Sequence, residues 1–516
     1  MGMGRAMAVA LVGLNGHVIE VEADIGQTLP AFVLLGLPDA SLNEARERIR
    51  SAAQNSGIPL SRRKITVNLV PASLPKKGSS FDLAIVMAAL DAAGDVRGTG
   101  GTVFIAELGL DGRLRPVRGM LPAVLAATAA GYGEFVVAEA NVAEAELVAG
   151  AKVRGYASLA QVALGFNADP ANLVHAEMDA APNAGARQGV DAGEGVQLAD
   201  LSEVAGQTEA RLALEIAAAG GHHLMMVGPP GSGKTMLAER LPGLLPELDD
   251  AEALEVTAIH SLDNAQAGIT ALVRRPPYER PHHSASTASI IGGGSGIPRP
   301  GAASRAHKGI LFLDEAPEFD RRVLDALRQP LESGELVLHR SAGTSAYPAR
   351  FQLVMAANPC PCGKATGKGI GCECTPMARR RYFGKLSGPL LDRVDIQIQV
   401  NRVQLAQLSD DGPRESSAEV AARVQLARDV ARERLRSFGV VHNADLTGGI
   451  LRGPLRLPPN DTAFLDRAMG AGTLSARGYD RVLRLAWTVA DLHGRDRPGP
   501  DDVGLALTLR QRGEEP

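Results

Sequence analysis

The sequence predicts an α/β protein, with two α/β units in series followed by a helical region. Three observations carry that prediction. The runs Leu224-Met-Met-Val227, Ile310-Leu-Phe-Leu313 and Phe351-Gln-Leu-Val-Met-Ala356 are nearly continuous in apolar residues, which suits strands buried on both faces of a parallel sheet. A glycine-rich turn follows the first run and opens a helix. Beyond about residue 412 the pattern is helical: Ser416-Ser-Ala-Glu419 fits a capping box, Gly439 a stop, and Ser475 to Leu492 a further helix closed by Gly494.

At 516 residues the chain has room for about three domains, at roughly 150 residues each. Residues 1–165 read as a mixed α/β unit. Its strands are expected at Lys64–Val70, Thr102–Ala106 and Glu134–Ala138, and its helices at Phe81–Ala93 and Leu121–Ala130. Residues 166–197 read as an exposed linker, rich in Ala, Gly, Asn and Asp over Ala176–Gly195. The second α/β unit spans 198–405 and the helical region 406–516. Aromatics are only 3% of the chain, so the cores must be built from Ala, Val, Leu and Ile. A net charge of −4 means that any nucleic-acid partner must be met by local basic patches. No apolar run reaches the ~18 residues that span a bilayer, and the N-terminus lacks a convincing cleavage site. A cytoplasmic protein without a membrane partner is expected.

Gly228-Pro229-Pro230-Gly231-Ser232-Gly233-Lys234-Thr235 lies between a strand and a helix predicted over Met236–Leu241. Glycines let successive backbone N–H groups turn toward phosphate oxygens, and the helix start adds its positive dipole end. Lys234 then reaches the β- and γ-phosphates and the Thr235 hydroxyl ligates Mg²⁺, so ATP and Mg²⁺ are the expected ligands. The strand Ile310–Leu313 delivers Asp314 to the Mg²⁺ shell and Glu315 to the water that attacks the γ-phosphate. Asn358 ends the next strand, where its amide is able to bond that water or the γ-phosphate. As the residue before Pro359 it suits a turn equally well.

Four stretches resemble the magnesium-chelatase-like AAA+ proteins: Ala217–Ala238, Arg280–Ser286, Asn358–Gly363 and Leu386–Asp395. Across essentially the whole chain, the sequence is similar to the YifB/ComM competence-protein family. The resemblance implies an AAA+ P-loop core with a helical lid. It further implies a homohexameric, ATP-driven DNA helicase that promotes branch migration as transforming DNA is integrated. It assigns Arg393 as the arginine finger offered to a neighbouring subunit and Arg477 as the second sensor in the lid. A fixed guanidinium suits both roles because it stabilises transition-state charge on phosphoryl oxygens. Residues 1–165 resemble a Lon-protease-like fold, notably through Glu107–Gly119. There the nucleophile position falls on Phe81, or by a small shift on Ser80 or Ser79, and the Lys position falls on Ala123. Without a base there is no peptidase, so a non-catalytic module is expected.

The chain's four cysteines, Cys360, Cys362, Cys372 and Cys374, form two closely spaced pairs flanking a Gly/Lys loop. Four thiolates are able to close a tetrahedral Zn²⁺ site, although one-residue spacing within each pair is tighter than usual. Arg379-Arg380-Arg381-Tyr382-Phe383 with Lys385 mixes cations and aromatics as DNA contact requires. Arg340 is a second DNA candidate, because in related helicases the hairpin before the Phe351 strand faces the pore. The adjacent His282 and His283 diverge from one another and are read as insert residues, not metal ligands. Two other functions compete with a DNA motor: the motor of a metal-chelatase-like complex acting on a protein, and a nucleotide-dependent scaffold. Intact Glu315 and Arg393 weigh against the scaffold.

Overall fold

The computed structural model describes residues 2–26, 29, 31–36, 39–60, 64–72, 74, 78–174, 199–263, 269–294, 298–340, 343–365, 371–403, 407 and 414–511. The Ala176–Gly195 stretch of the expected linker therefore lies outside the described residues.

Five parallel strands form the sheet that positions the chemistry. In chain order they are Leu224–Val227, Tyr278–Glu279, Ile310–Leu313, Gln352–Ala357 and Ile396–Gln399. Across the sheet the order is fifth, first, fourth, third, second. Successive residues point to opposite faces and both faces are covered, which explains the unbroken apolar runs. Leu224, Met226, Phe312, Val354 and Ile396 pack with Val424, Ala427 and Trp487 of the helical region. Met225, Leu311, Leu313, Leu353 and Met355 pack on the other side with Ile290, Val323, Leu390 and Val394. The two strands not expected from the sequence are the edges. Tyr278–Glu279 is two residues long, and Ile396-Gln-Ile-Gln399 alternates instead of running apolar.

Residues 4–156 carry a seven-stranded mixed sheet. Its strands Lys64–Val70, Thr102–Ile105 and Glu134–Ala138 match the predicted ones to within a residue. The long hairpin Gly4–Val12 and Asn15–Gly26, nine residue pairs in all, was not anticipated. The sequence there shows only a short apolar stretch that turns polar, whereas the structure buries Ala6, Ala8 and Ala10 with Ile19 and Val21 in one core. This unit docks on the helix Asp250–Asp263. The Glu144 carboxylate accepts from the Ser261 hydroxyl and, at 2.9 Å, from the Leu121 N–H. Ala258 joins the core of Met7, Leu121 and Phe135.

One helix prediction needs adjustment. The helix after the glycine-rich turn runs Lys234–Ala238, not Met236–Leu241, and a 3₁₀ turn Leu241–Leu244 follows. Leu241 precedes Pro242, and the proline ring disfavours α conformation in the residue before it. Near the C-terminus, Ser416 and Glu419 do form a capping box, on the helix Ser417–Leu435, which passes into a short turn ended by Gly439. Ser475 caps Ala476–Leu492 through the Gly478 N–H. Among the described residues no strand follows Gln399, and no helix is long and apolar enough to cross a membrane.

A buried polar cluster fastens this helical region to the sheet. Asp395, at the start of the last strand, accepts from His222 Nδ1 at 3.1 Å and from Arg481 Nη1 at 2.6 Å, and His222 Nε2 meets Thr488 Oγ1 at 2.7 Å. Burial works against the carboxylate's charge, but the His222 hydrogen bond and the Arg481 guanidinium outweigh it and hold Asp395 well below the ordinary carboxylate range. Removing one member of such a set strands the other charges without water. Asp395→Ala is therefore expected to cost about 3–5 kcal/mol, read as a lower urea midpoint, with Asp395→Asn costing less.

Candidate active site

The strand Leu224–Val227 ends at Gly228, whose N–H donates to the Ala357 carbonyl at 3.1 Å. A side chain at Gly228 is excluded, since a Cβ would stand 2.1 Å from the Val400 carbonyl oxygen. Gly233 enters the helix with φ +89°, a left-handed value costly for other residues. Lys234, only 9% exposed, curls back so that Nζ donates to the carbonyls of Gly228 at 2.7 Å and Pro229 at 3.0 Å, and to Asn358 Oδ1 at 3.3 Å. Burial lowers its pKa, opposed by the nearby Asp314 and Glu315 carboxylates. Ser232 Oγ is buried with no hydrogen-bond partner among the described residues. A cation and an unspent hydroxyl at a left-handed helix start suit a phosphate-bearing ligand.

The acidic half of the site follows the strand Ile310–Leu313. Thr235 Oγ1 donates to Asp314 Oδ2 at 2.8 Å, so the two side chains that would hold Mg²⁺ already touch. Glu315 has φ +52°, a strained value for a residue with a side chain, costing roughly 1–3 kcal/mol. That backbone is held by its own N–H, which donates to Asp314 Oδ1 at 3.0 Å, and it turns the Glu315 carboxylate into a cleft of about 450 Å³.

Two neighbours of these acids were missed in the sequence. Arg280 bridges Asp314 Oδ2 and Glu239 Oε1, each at 2.8 Å, and lies over the Phe312 ring. His283 Nδ1 is 3.3 Å from Glu315 Oε2. The His282 and His283 rings do not diverge as expected but lie 4.1 Å apart, and reading them as insert residues overlooked the contact with Glu315. The sequence did not mark that approach, because the edge strand that brings it about is only two residues long. The edge strand Tyr278–Glu279 pairs in parallel with Ile310–Leu311, so the residues just after it must arrive beside those just after Leu313.

Arg393 and Arg477 lie elsewhere. Parallel strands place all their C-terminal ends on one edge, and Gly228, Asp314 and Asn358 each follow such an end. Arg393 instead precedes Ile396, which is paired with Leu224, the first residue of the phosphate-loop strand. It sits at the opposite edge, ion-paired with Glu332 and donating to the Pro389 carbonyl. Arg477, 78% exposed, is 3.8 Å from Asp392. Arg393's pKa is lowered by burial and by the nearby guanidiniums of Arg328, Arg481 and Arg477, a cluster of like charge.

The remaining predicted residues separate as well. On the helix Pro376–Phe383, Arg380 and Arg381 are exposed. Arg379 turns inward, Nη2 3.4 Å from Cys372 Sγ, and Lys385 pairs with Glu318 at 3.6 Å. Tyr382 is corrected. Its ring is 5% exposed, packed edge-on against Phe383 and facing Asn358, so it offers no stacking surface to a base. Arg340 ends the first strand of the expected hairpin, Glu335–Arg340 with Gly343–Pro348; its side chain is outside the described residues. The four cysteine Sγ atoms lie within 4.8 Å of one another.

Three family models match the chain: "Magnesium chelatase, subunit ChlI" over residues 200–408, "Subunit ChlI of Mg-chelatase" over 21–141, and "Magnesium chelatase, subunit ChlI C-terminal" over 414–510. The competence protein ComM of Haemophilus influenzae is 39% identical, covering 99% of this chain and 98% of its own length. The chain belongs to the YifB/ComM family of magnesium-chelatase-like AAA+ proteins. YifB of Escherichia coli is 41% identical over 94% of this chain and 93% of its own. An uncharacterized Mycobacterium tuberculosis protein reaches 49% over 99% of both. Membership of this AAA+ family makes the chain an ATPase that uses ATP and Mg²⁺.

For that ATPase, Lys234→Ala is expected to abolish nucleotide binding. Glu315→Gln is expected to keep binding but lower turnover by about 10²–10⁴-fold. Equilibrium binding of a fluorescent ATP analogue and steady-state phosphate release check both, and normal turnover by Glu315→Gln would remove it as the water-activating residue.

Proposed function

We propose that this YifB/ComM-family ATPase is a cytoplasmic motor that works as a ring, most simply a homohexamer, and drives DNA strands during branch migration. The single observation behind the ring is that Arg393 lies a strand's length from the phosphate loop, at the opposite end of the neighbouring strand, with Arg477 beside Asp392 on the same side. Within one chain these guanidiniums cannot meet a nucleotide held by Lys234. A head-to-tail interface brings one copy's Arg393 edge against the next copy's Lys234 edge, and repeating that contact closes a ring.

In that interface the chemistry divides by residue. Lys234 and Ser232 hold the β- and γ-phosphoryl oxygens, and Asn358 orients the attacking water. Glu315 takes that water's proton once His283 releases its carboxylate. Arg393, freed from Glu332, and Arg477 of the adjoining copy stabilise charge on the γ-phosphoryl oxygens. Mg²⁺, held by Thr235 and Asp314, supplies neutralisation of phosphate charge. Arg280 must then give up its contact with Asp314.

The DNA assignment is supported by full-length likeness to a protein named for competence and by two exposed cations, Arg380 and Arg381, that have no ion-pair partner among the described residues. A second reading, a motor that remodels a protein for metal insertion, is favoured by the magnesium-chelatase description of all three family models. The Lon-like unit is proposed as a non-catalytic module. Phe81 and Ala123 occupy buried apolar positions, and the Ser79 hydroxyl is spent on Glu107.

Replacing Arg380 and Arg381 together by Ala, with the inward-turned Arg379 left intact, should weaken DNA binding irrespective of sequence. The log–log salt slope should become shallower by about 2, near one unit per lost phosphate contact. DNA-stimulated ATPase should fall while basal turnover persists. An unchanged slope in a variant that still assembles would leave the protein-remodelling reading in its place.

A further inference from the structure

The cysteine cluster is not explained by nucleotide or DNA chemistry. Cys360 Sγ lies 3.3 Å from Cys362 Sγ and 3.7 Å from Cys372 Sγ, and Cys362 Sγ is 3.7 Å from Cys372 Sγ. Zinc–thiolate bonds of about 2.3 Å in a tetrahedron set sulfur atoms about 3.8 Å apart, close to these separations. A disulfide needs about 2.05 Å, and none of the four cysteines is bonded to another. The tight spacing that counted against a metal site in the sequence is no obstacle. The two pairs leave separate arms of one loop and meet, each arm supplying two of the four ligands.

Its surroundings indicate what the cluster braces. Cys360 is fully buried two residues after Asn358, at the end of the strand Gln352–Ala357. Gly363, with φ +73°, lies so close to the phosphate loop that a Cβ there would stand 2.6 Å from Pro230 Cδ. Cys374 directly precedes Thr375, whose side chain accepts from the Ala378 N–H to cap the helix Pro376–Phe383. Arg379 of that helix reaches Cys372, and Tyr382 packs toward Asn358.

We propose that Cys360, Cys362, Cys372 and Cys374 bind one structural Zn²⁺, and that the ion braces Asn358 and Pro230 of the ATP site against the helix that carries Arg380 and Arg381. Metal binding stands on the thiol geometry alone, whereas the bracing role rests on the ATP-site reading, and the two are separable by experiment. Purified without chelator, the full chain should carry one zinc per chain by elemental mass spectrometry. Exchange for Co²⁺ should give the intense visible bands of a tetrahedral tetrathiolate. Absence of zinc even after Zn²⁺ addition, or an iron–sulfur chromophore in its place, overturns the site.

Cys362→Ser combined with Cys374→Ser should lose the zinc and lower ATP turnover by roughly ten- to hundredfold, as expected when reacting groups shift by about an ångström. Zinc loss with unchanged turnover in a folded protein overturns the bracing role and leaves the site. If that variant does not fold, a mercurial thiol reagent applied to the wild-type chain serves instead. It should release one zinc to a chromogenic chelator per four thiols modified, with ATP turnover falling in step. Thiol modification without zinc release overturns the site, and zinc release with unchanged turnover overturns the bracing role.

Discussion

Parallel strands all end on the same edge of their sheet, and the rest of this molecule's chemistry is arranged around that constraint. The five-stranded sheet gathers Gly228, Asp314 and Asn358 at one edge because each is the first polar or turn residue after an apolar strand. The same geometry sends Arg393, which precedes a strand, to the other edge. The phosphate loop and Arg393 are thus separated within a chain, and in the proposed ring they meet only between chains. The separation needs no moving part. It follows from strand direction and from apolar packing on both faces of the sheet.

The sheet and the helical region are coupled where this matters most. Asp395 stands two residues after Arg393 and is bonded to Arg481, one helical turn beyond Arg477. Any shift of the helix Ala476–Leu492 against the last strand must therefore move both guanidiniums together or break a buried ion pair. At the other edge Asp314 and Glu315 are held by Arg280 and His283, so each acid has a protein partner that ligand binding must displace. The two edges resemble each other in this respect, since Arg393 is likewise held by Glu332 of its own chain.

Much of this was legible in the sequence, and the reasons are physical. Strands buried on both faces are written as apolar runs, so three of the five core strands were evident. The phosphate loop was evident because its glycines are required by backbone geometry. Illegible were the two edge strands, too short or too alternating to stand out, and with them the approach of Arg280 and His283 to the acids. Tyr382 was misjudged because composition cannot tell which face of a short helix is buried. The cysteines were legible as a metal motif only in type. Their convergence is set by the tertiary fold, which spacing does not encode.

In the proposed ring each active site is completed by two copies of the chain. This is tested most directly by mixing two variants that are each inactive alone, Lys234→Ala and Arg393→Ala, and measuring ATPase activity. If Arg393 serves the neighbouring copy's nucleotide, mixed rings contain interfaces that pair an intact Lys234 with an intact Arg393, about a quarter of them at equal proportions, and activity returns. Rings demonstrated to be mixed that remain inactive would contradict the account.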